Sequence, residues 1–125
     1  MKKQKLGILI VDDNSHFVER ISAMLAVLHN IDYINVASDY EEACRMLKSE
    51  APDLVILDIN LPGRNGMEIL SAIKESGQQC EVIVLSNHAD EYYREQCKLL
   101  GAKYFFDKSN EFGKVTGVVS RHRLN

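Results

Sequence analysis

Five short apolar runs recur along this chain, and a helical pattern of apolar residues follows each of them. Each run is mostly continuous rather than alternating with polar residues. Continuous apolar runs are typical of strands that are covered on both faces, and strands that alternate with helices indicate a parallel sheet. We therefore predict an α/β fold with a doubly wound, five-stranded parallel sheet and strands at Leu6–Val11, Ile31–Ala37, Leu54–Leu57, Glu81–Leu85 and Lys103–Phe106.

The first two helices carry clear signals. The first has an apolar stripe with helical spacing, formed by Phe17, Ile21, Met24, Leu25 and Leu28. The second begins with the Ser-x-x-Glu pattern of a capping box, Ser38 to Glu41, and must end before Pro52. Either Asp13 or Asn14 can cap the first helix.

The remaining three helices are marked mainly at their ends. The pattern Asn65-x-x-Glu68 starts the third, and the fourth runs from about Asp90 to Leu100 with Gly101 as its C-cap. The fifth has an apolar stripe of Phe112, Val115 and Val119, but Gly113 and Gly117 weaken it because each costs about 1 kcal/mol relative to alanine.

The length of 125 residues suits one domain, which we expect to span 1–125 without an output domain. A net charge of -3 argues against nonspecific binding to nucleic acid. Two aspartates cut short the first apolar run, so neither a signal peptide nor a membrane span fits there. We therefore expect a cytoplasmic protein that makes no membrane contact.

Polar residues collect where the strands end. Strand one is followed by Asp12 and Asp13, strand three by Asp58, strand four by Ser86 and strand five by Lys108. In a doubly wound sheet of order 2-1-3-4-5, strands one and three are neighbours, and ligands bind at the carboxyl ends of the strands. The three aspartates should therefore crowd together, with Ser86 and Lys108 to one side.

Three crowded carboxylates repel each other unless a cation neutralises them. Hard oxygen ligands of this kind suit Mg²⁺ or Mn²⁺, and Mg²⁺ usually takes one or two carboxylates together with a phosphate oxygen. A carboxylate can also act as a nucleophile and form an aspartyl phosphate. The sequence thus predicts a Mg²⁺-dependent phosphoryl site in which Asp58, Lys108 and Ser86 do the chemistry.

Four segments in order resemble the receiver domains of bacterial two-component response regulators: ILIVDDN at 8 to 14, LVILDINLPGRNGME at 54 to 68, VIVLSN at 82 to 87 and GAKYFFDKS at 101 to 109. The resemblance covers essentially the whole chain and implies a flavodoxin-like (βα)5 fold. It implies that Asp58 is the phosphoacceptor and that Lys108 contacts the phosphoryl group. It also implies a metal site of Asp12, Asp13, Asp58 and the backbone carbonyl of Asn60.

The same resemblance implies a switch pair of Ser86 and Phe105. In the family, a hydroxyl at the first position moves toward the phosphoryl group, and an aromatic ring at the second changes its orientation. The phosphoryl donor would be a histidine kinase or a histidine phosphotransfer protein. A homodimer or an effector would bind the face made by strand four, strand five and the fifth helix. The domain would be a phosphoacceptor rather than an enzyme, apart from catalysing its own phosphorylation from small donors and its own dephosphorylation.

Three positions depart from the family pattern. Ser109 stands where a proline preceded by a cis bond commonly follows the lysine, and Asn87 is larger than the residue common there. Asp107 points away from Lys108 if the strand continues, or else pairs with its ammonium. These departures leave open a phosphorylation-independent adaptor that keeps only the fold.

Two other classes fit less well. An aspartate-nucleophile phosphatase needs a second acid two residues after the nucleophile, where this chain has Asn60. A flavin-binding module needs a hydroxyl-rich or glycine-rich phosphate loop after strand one, where this chain has the acidic DDNSH.

Overall fold

A computed structural model of the chain describes residues 5–61, 65–87 and 90–122. Residues 62–64 of the second motif lie outside this range. The elements are β1 (Leu6–Val11), α1 (Ser15–Ala26), β2 (Ile31–Ala37), α2 (Tyr40–Glu50), β3 (Leu54–Asp58), α3 (Met67–Ser76), β4 (Glu81–Ser86), α4 (Glu91–Leu99), β5 (Tyr104–Asp107) and α5 (Lys114–Arg121). The strands form one parallel sheet in the order β2-β1-β3-β4-β5, which confirms the predicted fold class.

Alternate residues of the strands face two separate apolar clusters. In β1, Leu9 and Val11 pack with α2, α3 and α4, whereas Ile8 and Ile10 pack with α1 and α5. Burial on both faces explains why the strands are continuously apolar in the sequence. It also holds the strand ends rigidly, which matters for the polar residues that stand there.

Three strands end one residue later than the sequence analysis predicted. Asp58 is paired with Leu85, and Ser86 is paired with Asp107, so these polar residues are the last members of their strands rather than the start of loops. β5 begins at Tyr104 rather than at Lys103. Hydrogen bonding to a neighbouring strand sets these limits, and the apolar pattern does not report it.

The capping predictions for α1 and α2 have different outcomes. Asn14 caps α1, because its side chain accepts a hydrogen bond from the backbone N–H of Phe17. The predicted Ser38–Glu41 box is wrong by one residue: the carboxylate of Asp39 accepts from the N–H of Glu42, whose carboxylate accepts from the N–H of Ser38. Both registers satisfy the sequence pattern of a polar cap three residues before a glutamate.

Helix α3 begins at Met67, two residues after the predicted start. The Asn65 side chain accepts from the N–H of Met67, and Gly66 lies between them. A Cβ on Gly66 would lie 2.5 Å from Cα of Ile59 and 2.8 Å from the carbonyl oxygen of Asp58. Only glycine lets the start of α3 approach the end of β3 this closely.

The last two helices agree more closely with their patterns. α4 is capped by Asp90, and Gly101 follows it at φ +100, a conformation that favours glycine. α5 begins at Lys114, after Gly113. None of the helices among the described residues is both long enough and apolar enough to cross a membrane.

The close approach at Gly66 yields a stability prediction. Gly66→Ala should lower the free energy of unfolding by about 2 kcal/mol, because backbone atoms at 2.5 and 2.8 Å cannot yield without moving the end of β3. The matched control is Gly113→Ala, since a Cβ there meets nothing within 4 Å and φ is -63. Urea denaturation followed by circular dichroism measures both variants. Equal midpoints for the two would contradict the prediction.

Candidate functional site

Three carboxylates meet at the carboxyl ends of β1 and β3. Asp12 and Asp13 follow β1, and Asp58 ends β3, so the pairing of the two strands brings the acids together. One oxygen of each carboxylate lies within 4.8 Å of the other two. Asp12 and Asp58 are buried, whereas Asp13 is exposed. The group therefore has a buried base and an open side, and its hard oxygens fit Mg²⁺ or Mn²⁺.

Lys108 supplies the positive charge among the two buried acids. Its Nζ lies 2.7 Å from Oδ2 of Asp12 and 3.2 Å from Oδ2 of Asp58. The lysine is only 8% exposed, which is rare for this residue type unless it is paired. Its backbone N–H donates to the carbonyl oxygen of Ser86, which ties it to the end of β4.

The titration behaviour of the site follows from burial and from these contacts. Burial raises the pKa of Asp12, and repulsion from Asp58 adds to this effect, although hydrogen bonds from Lys108 and from the N–H of Asn14 oppose it. Burial alone would lower the pKa of Lys108, but the hydrogen bond to Asp12 and the charges of Asp58 and Asp12 outweigh it, so the net pKa is raised. Lys108 therefore stays charged at neutral pH.

The second oxygens of the buried acids accept hydrogen bonds from nearby backbone groups. Oδ1 of Asp12 accepts from the N–H of Asn14 at 2.8 Å, and Oδ1 of Asp58 accepts from the N–H of Asn60 at 2.9 Å. These bonds fix the orientation of each carboxylate, so that Oδ2 of both acids faces Lys108. The site is thus ordered by its own strand ends and loops.

Ser86 and Asn60 lie beside the acids. The Ser86 hydroxyl is fully buried and donates to the side-chain oxygen of Asn60 at 3.4 Å, a long hydrogen bond. Asn60 itself is exposed and follows Asp58 by two residues. A hydroxyl therefore stands at the end of β4, on the side of the site where the sequence analysis predicted it.

Phe105 lies in an apolar cluster rather than among the acids. Its ring is 8% exposed, and the guanidinium carbon of Arg94 lies 4.9 Å from the ring centroid. Arg94 also donates to the carbonyl oxygen of Phe105 at 2.9 Å. The switch role of Phe105 stays a prediction, and its contact with α4 shows which helix a change of its orientation would disturb.

The structure shows what the residues near Lys108 that differ from the family pattern do. The Asp107 carboxylate does not pair with Lys108: it accepts from the backbone N–H groups of Ser109 and Asn110 at 2.8 and 3.0 Å. Glu111 in turn accepts from the N–H of Asp107 at 3.0 Å. The Lys108–Ser109 peptide bond is trans. Asn87 is exposed.

Sequence reasoning missed two residues that shape the site. The centroid of the Phe17 ring lies 4.3 Å from Nζ of Lys108, although the sequence showed Phe17 only as part of a core stripe. Gly66 packs closely against the backbone of Asp58 and Ile59, and its only signal in the sequence was its place in the second motif. The residues next to an aromatic in the chain do not show whether its ring only packs in the core or also contacts a lysine from a remote part of the sequence.

The family model described as response regulator receiver domain matches residues 8–120. Among curated proteins, the chain is 30% identical over 108 residues to the transcriptional regulatory protein DegU of Brevibacillus brevis, covering 86% of this chain and 46% of that protein. It is 30% identical over 86 residues to the nitrate/nitrite response regulator protein NarL of Escherichia coli, covering 67% of this chain and 40% of that one. The chain thus spans less than half the length of these two relatives.

Solved structures show the same architecture. The phosphorylated cyanobacterial phytochrome response regulator RcpA is 27% identical, with a TM-score of 0.79 over 93% of this chain and 89% of that one. The signal receiver domain of a DNA-binding response regulator from Colwellia psychrerythraea has a TM-score of 0.86 at 24% identity, over 94% of this chain and 97% of that one.

The buried ion pairs of Lys108 yield a second stability prediction. In metal-free buffer, Lys108→Ala should lower the free energy of unfolding by about 3 kcal/mol, because it leaves two buried carboxylates without their counter-charge. Lys103→Ala is the matched control, since the ion pair of Lys103 with Glu81 is exposed and should add little. Urea denaturation monitored by circular dichroism compares them. A Lys108 variant as stable as the Lys103 variant would show that the buried pairs contribute nothing.

Proposed function

This chain belongs to the response regulator receiver domain family of two-component systems, and from that premise we propose that it is a signalling switch that accepts a phosphoryl group on Asp58. One observation carries the proposal. The Asp58 carboxylate is fixed at a strand end, in contact with a buried ammonium and beside two further acids. A structural role alone would not require four charged groups in one crevice, because buried charges are expensive.

Asp58 is the nucleophile in this proposal. A carboxylate oxygen attacks the phosphorus of a phosphohistidine donor, the P–N bond breaks, and the leaving imidazole nitrogen regains its electron pair and takes up a proton. The product is an aspartyl phosphate. The positive charge of Lys108, 3.2 Å from Asp58, stabilises the negative charge that the transferred group brings.

Asp12, Asp13, Asp58 and the backbone carbonyl of Asn60 would hold Mg²⁺ or Mn²⁺. The donor set fits such a cation, because the three carboxylates offer oxygens within 4.8 Å of one another and one of them is open to solvent. When bound, the cation supplies the positive charge that offsets the charge of the phosphoryl oxygens. Asp12 lies at the base of the set and Asp13 at its exposed side.

Ser86 and Phe105 are the proposed switch. A phosphoryl group on Asp58 offers strong acceptors, so the Ser86 hydroxyl gains a better partner than the long bond it makes to Asn60. A shift of Ser86 moves the end of β4, which is paired with β5 through Ser86 and Asp107. Reorientation of Phe105 then disturbs its contacts with Arg94 in α4.

The donor would be a histidine kinase or a histidine phosphotransfer protein, as the family implies. We assign the contact with an effector or a second copy of the chain to the face of β4, β5 and α5, as the family resemblance implies. RcpA, at 27% identity, was solved as a phosphorylated protein, which supports phosphorylation as the modification that this fold accepts. The domain acts as a phosphoacceptor that turns over only its own phosphoryl group.

Intact mass spectrometry tests the proposal. After incubation with acetyl phosphate and Mg²⁺, the protein should gain one phosphoryl group, and omission of Mg²⁺ or the substitution Asp58→Asn should abolish the gain. Asp39→Asn is the matched control, because asparagine caps a helix as well as aspartate does and Asp39 lies at the start of α2. It should be modified like the unmutated protein.

A phosphorylated Asp58→Asn variant would place the acceptor elsewhere. No adduct with acetyl phosphate or with several phosphorylated histidine kinases would reject phosphoryl transfer and favour the phosphorylation-independent adaptor. The kinase donors are needed because a small donor can react slowly with a competent site.

A further inference from the structure

Lys108 must hold its ammonium in one place, although its side chain is long and flexible. Four rotatable bonds separate the backbone of a lysine from its charged ammonium. The position of the ammonium is therefore fixed only if the groups around it hold it. The backbone end is fixed. Asp107 and Glu111 hold the loop on either side by hydrogen bonds, and the N–H of Lys108 donates to Ser86. The remaining freedom lies in the side chain.

Among the described residues, three side chains of two kinds contact the Lys108 ammonium. Two are the carboxylates of Asp12 and Asp58, which attract it as ions. The third is the ring of Phe17, whose centroid lies 4.3 Å from Nζ. A cation over an aromatic face is attracted by the quadrupole of the ring, and the attraction is stronger where water is excluded. Phe17 and Lys108 are each only 8% exposed.

The ring of Phe17 is itself held in place. Phe112, which lies before α5, packs edge-on against it with centroids 6.1 Å apart. Arg20, one turn after Phe17 in α1, lies over the other ring with its guanidinium carbon 4.3 Å from the centroid of Phe112. Two cation–ring contacts and one edge-on ring pair therefore join α1 to Lys108 and to Phe112.

We propose that Phe17 is a positioning residue for phosphoryl transfer, because its ring face holds the Lys108 ammonium beside Asp58. This inference rests on the proposed function. A metal ion held by Asp12 and Asp58, or a phosphoryl group on Asp58, would compete for the carboxylate oxygens that attract Lys108. The ring binds neither group, so its contact with the ammonium would not depend on which of them occupies the carboxylates.

The test uses ring substitutions in the full chain. Phe17→Leu keeps an apolar side chain but removes the ring face, and it should slow phosphorylation by acetyl phosphate on the order of tenfold at saturating Mg²⁺. Phe17→Tyr keeps the ring face and should restore the rate. Phe106→Leu is the matched control, since the ring of Phe106 packs against Tyr104 and not against Lys108. It should behave like the unmutated protein.

A second readout does not depend on phosphorylation. The ε-methylene protons of Lys108 should show a ring-current shift in the NMR spectrum of the unmutated protein, identified by its loss in Lys108→Arg. The shift should disappear in Phe17→Leu and remain in Phe17→Tyr and Phe106→Leu. A change in stability alone would not move this signal selectively.

An unchanged phosphorylation rate in Phe17→Leu, with the ring-current shift lost, would overturn the inference, and so would the absence of the shift in the unmutated protein. If no protein accepts a phosphoryl group, the proposed function fails, and the shift alone then decides whether Phe17 positions Lys108. Should Phe17→Leu fail to fold, Phe17→Met takes its place with the same expectations.

Discussion

The ion pairs of Lys108 with Asp12 and Asp58 are the interaction on which the rest of the site depends. Two carboxylates in a buried crevice repel each other, and burial penalises the charge of each. The ammonium between them offsets both effects, and it can do so only because three strand ends converge at one edge of the sheet. Asp13, the third acid of the group, is exposed to solvent. The charged groups that pair with each other in this structure, Lys108, Asp12 and Asp58, are the groups that phosphoryl transfer would use.

The scaffold contributes rigidity at each of these ends. Asp58 and Ser86 are the last residues of paired strands, and Lys108 is tied by its backbone to Ser86. Apolar clusters on both faces of the sheet hold the strands, so the side chains start from fixed positions. Gly66 completes this arrangement, since it allows α3 to begin directly against the backbone of Asp58. Preorganisation of this kind is what electrostatic catalysis requires.

The loop after β5 shows how this chain replaces a feature that is common in its family. Where proline often follows the lysine, Ser109 follows here, and the peptide bond between them is trans. Asp107 accepts two backbone N–H groups of the turn, and Glu111 accepts the N–H of Asp107. Hydrogen bonds from side chains therefore order the turn without a proline ring. The unusual residues beside Lys108 support its position rather than compete for its charge.

The sequence by itself predicted the five strands and the acids at their ends, because apolar runs and strand-end positions are local properties. The strand order was expected from the fold class, and the pairing of the strands confirms it. It also predicted which residue types would meet there, since parallel strands bring their carboxyl ends to one edge. Only the tertiary structure decided that Asp39 rather than Ser38 caps α2, because two registers fit one pattern. Only the structure placed Phe17 against Lys108 and Arg94 against Phe105. Those contacts join different elements, and the direction of a side chain across a packed interface is set by its neighbours rather than by the residues beside it in the chain.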